Sequence, residues 1–108
     1  MGQVTVKQVM EMFGLKLISG EEGIGRHIAI SDISRPGLEM AGYFTHYPAN
    51  RMQLLGKTEL SFFAMLKPEE RLDRMMKLCA EDTPAIIVSH GVDVPEELVI
   101  ASSEKHVP

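Results

Sequence analysis

Hydrophobic residues recur along this chain with two periods, one helical and one strand-like, and the switches between them outline its elements. Thr5 stands before Val6, Val9, Met10 and Phe13, whose spacing predicts a short capped helix that Gly14 ends. Leu15 to Ser19 alternates apolar and polar residues and predicts a strand. The stretch Gly20 to Gly25 predicts a turn, and Ile28, Ile30 and Ile33 predict a second strand with Ser31 and Asp32 near its end. Ser34-Arg35-Pro36-Gly37 breaks that strand, a brief helical turn follows from Leu38 to Ala41, and Tyr43 to Asn50 reads as loop. Met52 to Leu55 predicts a strand. A helix opening at Thr58 then places Leu60, Phe63 and Leu66 on its inner face.

The clearest helix begins at Pro68-Glu69-Glu70. Proline suits the first turn, acids suit the positive end of the helix dipole, and Leu72, Met75, Met76 and Cys79 follow at i, i+3, i+4 and i+7. Ala85 to Val88 is a continuous apolar run, expected of a strand covered on both faces. Pro95-Glu96-Glu97 opens a last helix running to about Lys105. Strands alternating with helices predict an α/β fold: residues 1–108 form a single small layered domain with a mainly parallel sheet flanked by helices. A helix after a buried parallel strand normally leads into another strand, yet only Val107-Pro108 remains. The chain therefore reads as truncated before a further strand.

A hydrophobic content of 44% is enough for a core without staples in one domain of this length. The net charge of −4, with no basic cluster, argues for solubility and against nucleic-acid binding. Neither a long apolar run nor a signal-peptide pattern is visible, so no membrane association and a cytoplasmic location are expected. The single Cys79 excludes an internal disulfide and a multi-cysteine metal site.

Gly56-Lys57-Thr58 looks like the end of a phosphate-binding loop, but the first glycine of that motif falls at Arg51, and Met52 to Leu55 between them are bulky. A side chain at that position blocks the backbone conformations the loop requires, so the run reads as strand, glycine turn and helix. Asp32, Ser34 and Arg35 are a candidate ligand site, since polar groups at a strand end are where α/β domains hold ligands and Arg35 can clamp a phosphate or carboxylate. Alternatively Asp32 and Ser34 bond turn backbone and Arg35 makes a surface ion pair. Tyr43, Phe44 and Tyr47, beside His46, form either a partner-binding surface or a loop pinned by burying its rings. His27, His46, His90 and His106 lack metal-ligand spacing, and Cys79, Ser34, Ser61 and Ser89 lack an activating motif. No catalytic residue and no metal site are expected.

Leu17 to Gly23, Ser31 to Gly37, Gly42-Tyr43-Phe44, Gln53 to Phe62 and Thr83 to Val88 together resemble the N-terminal domain of bacterial HPr kinase/phosphorylase, over about Val4 to Pro108. The family's enzyme adds a phosphate to a serine of the phosphocarrier HPr and also removes it, linking the sugar phosphotransferase system to carbon catabolite repression. The resemblance implies that ATP and Mg²⁺ belong to a C-terminal kinase domain, which forms a hexamer, and that no cofactor belongs to this part. It implies as partners that kinase domain, further copies of the protein and HPr. The family's N-terminal domain is similar in fold to that of the Mur ligases, which hold a UDP-sugar, so a sugar-phosphate or nucleotide-sugar binding module is the alternative to a regulatory or assembly domain.

Overall fold

The computed structural model describes residues 4–28, 33–89 and 91–108. Strand β1 (Val4–Thr5) runs directly into helix α1 (Val6–Phe13). Thr5 and Gln8 close a capping box, with Thr5 N–H donating to Gln8 Oε1 at 2.8 Å and Gln8 N–H to Thr5 Oγ1 at 3.2 Å. Gly14, left-handed at φ 65°, ends the helix. A 3-10 turn at Glu21–Gly23 leads to β2 (His27–Ile28), which pairs antiparallel with β1. Next come β3 (Ile33–Ser34), α2 (Gly37–Met40), β4 (Met52–Leu55), α3 (Lys57–Phe63), α4 (Pro68–Leu78), β5 (Ile86–Val88) and α5 (Glu96–Lys105). Strands β3, β4 and β5 form a parallel sheet in that order, with Ser34 opposite Gln53 and Gln53 opposite Ile86.

Successive residues of a strand point to opposite faces, so β4 divides the interior. Met52 faces Val6, Ile28 and Ala85 on the α1 side. Leu55 faces the larger cluster on the other side, with Met40, Phe63, Met75, Leu78 and Leu98. Helices thus cover both faces of a parallel sheet, as the alternation of periods predicts.

Four expectations need correction. Leu15 to Ser19 is not a strand in this structure: it runs unpaired along the domain, with Leu15 and Ile18 exposed. The single strand expected from Ile28 to Ile33 is two short ones in different sheets, with Ile30 and Asp32 outside the described residues. Leu72 is exposed, because the buried stripe of α4 runs through Met75, Leu78 and Cys79 and is continued toward α5 by Arg71, which pairs with Glu97 at 3.0 Å. The strand Ala85 to Val88 is covered less than its apolar run predicts. Only Ala85 is buried, because β5 is the outer strand of the sheet and an apolar cleft of about 380 Å³ lies beside it.

The segment between α1 and β2 is fastened to the end of the chain. Arg26 Nη1 donates to the carbonyls of Thr83 at 2.6 Å and Glu81 at 3.0 Å, and Nη2 to that of Lys105 at 3.4 Å. The Ser19 and Ser102 hydroxyls hydrogen-bond to one another. At Gly20 the backbone is left-handed, φ 74°, and an added Cβ would overlap the Val107 carbonyl. Gly20→Ala is therefore expected to destabilise the domain by about 2–4 kcal/mol, whereas Gly25→Ala, with open space around it, changes little. Paired urea denaturation curves check this.

Candidate functional site

The C-terminal ends of the three parallel strands gather the residues that the sequence singles out. Ser34 ends β3 and Arg35 follows it, Gly56 follows β4, and Ser89 follows β5. Asp32 lies outside the described residues. Arg35 does not face outward as a vacant clamp. Its Nε and Nη2 donate to Glu59 Oε2 and Oε1 at 3.1 and 2.9 Å, a bidentate ion pair. Glu59 Oε1 also accepts the Gly56 N–H at 2.8 Å. The Glu59 side chain is 7% exposed, while that of Arg35 is 54% exposed.

Glu59 is the residue that the sequence reading missed. Its signal was present, since it stands three places after the residue preceding α3, the spacing at which an acid reaches back to cap a helix start. The helix accordingly begins at Lys57 with Gly56 as its cap, one residue earlier than Thr58 implies. The dihedral angles of Gly56 do not demand glycine, and an added Cβ would press chiefly on the end of the flexible Arg35 side chain. An added Cβ would stand 2.5 Å from Arg35 Nη2, 3.3 Å from Glu59 Oε1 and 3.4 Å from Ser89 Oγ. Burial pushes the Glu59 pKa up, but the Arg35 hydrogen bonds, the Gly56 N–H and the Arg35 charge outweigh it and hold the carboxyl below its ordinary value.

This turn cannot cradle a nucleotide triphosphate as it stands. A phosphate loop offers free N–H groups to an anion, but here an ionised carboxylate occupies the Gly56 N–H. The residues present thus do not fit ATP. Among the described residues no three His, Cys, Asp or Glu come together as metal ligands. His27, His46 and His106 lie exposed in separate places, and His90 is outside the described residues. Cys79 is buried at the end of α4, and burial pushes its thiol up to about 12, so it stays protonated. No described helix is long and apolar enough to cross a membrane.

The aromatic loop divides. Tyr47 lies against the larger core and its hydroxyl donates to the Leu78 carbonyl at 2.7 Å. Burial raises its pKa far above that of a free phenol. Phe44 packs edge-on against Tyr47 with ring centroids 5.6 Å apart, and Lys77 Nζ stands 5.6 Å from the Phe44 centroid. These two rings pin the loop. Tyr43 alone is exposed, at 48%, beside His46 with centroids 6.1 Å apart.

Two outcomes follow. Glu59 contributes stability that is full above the ordinary carboxyl value of 4.5 and is lost as pH falls through its lowered native value. Glu59→Gln should therefore flatten the loss of stability between pH 5 and the acid limit, measured by urea unfolding at several pH values, relative to the native protein. Phe44→Ala should cost about 2–3 kcal/mol, while Tyr43→Ala should stay within about 0.5 kcal/mol of the native protein, both read by thermal unfolding.

The HPr Serine kinase N terminus family matches residues 4–108. The chain is 62% identical to a Bacillus pumilus protein named HPr kinase/phosphorylase, 59% to the one so named from Bacillus subtilis and 58% to that of Halalkalibacterium halodurans. In each case the match covers all of this chain but 35% of the relative, so the chain spans about a third of the length of these proteins. The chain belongs to the family of HPr serine kinase N-terminal domains.

Proposed function

We propose that the chain is a non-catalytic regulatory or assembly domain of a bifunctional enzyme that phosphorylates and dephosphorylates a serine of HPr in carbon catabolite repression, within the cytoplasm. One observation carries the non-catalytic part of this reading. The turn most like a phosphate loop is filled by its own carboxylate, with Arg35 and the Gly56 N–H both committed to Glu59. ATP and Mg²⁺ chemistry is then the task of the remaining two-thirds of a protein like its relatives, a C-terminal kinase domain that this domain serves within an oligomer, a hexamer in the family. Incubated with HPr, ATP and Mg²⁺, residues 1–108 should leave HPr unmodified by mass spectrometry while a full-length relative phosphorylates it. Phosphoserine on HPr with the purified domain alone overturns the proposal.

HPr docking is a second reading, favoured by the exposed ring of Tyr43 on a loop that Phe44 and Tyr47 hold rigid. It predicts localised shifts in labelled HPr on titration with the domain, reduced by Tyr43→Ala. Unchanged spectra exclude it. Binding of a sugar phosphate or nucleotide sugar at Ser34 and Arg35 has less support, because such a ligand must first displace Glu59 from Arg35.

A further inference from the structure

Among the described residues, 4–28 form a layer with its own two-stranded sheet, which shares no ladder with β3, β4 and β5. The layer is closed on itself. The N–H groups of Val6 and Lys7, at the start of α1, donate to the Arg26 and Ile24 carbonyls at 3.0 and 2.9 Å. Its hold on the rest of the domain is narrow. Val6 and Ile28 reach Met52 and Ala85 in the small cluster, with Val9 and Met10 at its margin, while the larger cluster takes no side chain from the layer. Elsewhere along the seam the apolar cleft lies between Leu15–Ser19 and β5.

One side chain dominates the polar contacts across this seam. The half-buried Arg26 sends its guanidinium out of the layer to the carbonyls of Glu81 and Thr83, in the turn before β5, and of Lys105, in the last turn of α5. The last carbonyls of a helix have no partner inside the helix, and a cation suits that end of its dipole. Thr83 is wholly buried, so a carbonyl left unmet there costs more than an exposed one. A guanidinium presents a fixed fork of N–H donors and can serve several acceptors at once. The contacts around it join the same segments. Gly20 and Gly23 lie so close to the Val107 and His106 carbonyls that no side chain fits, the Ser19 hydroxyl meets that of Ser102, and Glu22 Oε1 stands 3.4 Å from His106 Nδ1.

We propose that Arg26 is a latch. It holds residues 4–28 closed against the end of α5. When it lets go, this layer opens as one unit and the last turn of α5 loosens with it, while the helices on the other face of the sheet stay folded. A part held by a small apolar contact and a few hydrogen bonds opens at a lower free energy than the loss of a core. By contrast, α4 belongs to the larger cluster through Met75 and Leu78, and β4 is packed between the two clusters. Release of the latch frees the start of the chain and the end of α5 together. Any partner that binds one of them only in its closed form therefore biases the other.

Amide hydrogen exchange by mass spectrometry, on the full-length protein that contains this chain, tests the latch. In low urea, peptides from residues 6–26 should share one opening free energy, below that of α4 and β4. Arg26→Gln should speed the exchange of residues 6–26 and 103–106 together by about 10- to 100-fold, the worth of hydrogen bonds from a charged donor, with α3 and α4 unchanged. Exchange of residues 6–26 only in step with α4, in the native protein, overturns the proposal whether or not the variant folds. Acceleration confined to residues 20–26, or spread evenly over α3 and α4, overturns it as well.

Discussion

The parallel ladder on both sides of β4 is the constraint on which the rest of this domain rests. Four residues, Met52 to Leu55, pair with β3 on one side and β5 on the other. Their alternation assigns each helix to a face, since Met52 packs on the α1 layer and Leu55 on the larger cluster. A slip of one residue would exchange those faces and bring Gln53, wholly buried, out of the pocket where its amide donates to the Pro48 and Arg51 carbonyls. The same register ends β4 and β5 level, Leu55 opposite Val88, with β3 ending earlier, opposite Gln53, and so brings Arg35, Glu59 and Ser89 together around Gly56.

That convergence explains why a chain with an apparent fragment of a phosphate motif uses it structurally. A buried carboxylate is stable only when its lone pairs are met. Glu59 meets them with one guanidinium and one backbone N–H, and a methyl at Gly56 would crowd that guanidinium. In the 43–47 loop Phe44 and Tyr47 pack against the core and hold the loop, while the ring of Tyr43 is exposed.

The elements with local determinants were legible in the sequence. Thr5 and Gln8 cap α1, Pro68 and Glu70 start α4, and α5 opens after Pro95 and runs to Lys105. The Arg35 side chain was recognisable as an anion binder, but not its anion, because Glu59 lies on a different element and only the β3–β4 register brings them together. Leu72 was misplaced because periodicity alone cannot tell an aliphatic side chain in a seam from an arginine stem that covers it. Leu15 to Ser19 failed for a different reason. Alternation encodes a capacity for pairing, and pairing also needs a neighbour.

The fastening of Gly20, Gly23 and Arg26 to residues 83 and 105–107 has a consequence for how such a chain is made. The ribosome delivers the segment first and its anchor points last. Loop closure over such a separation is slow, and the α1 layer finds its support on Met52 and Ala85 only after β4 and β5 have emerged. During synthesis the apolar residues Val6, Val9 and Met10 of α1 therefore stay uncovered until β4 and β5 have emerged to pack against them.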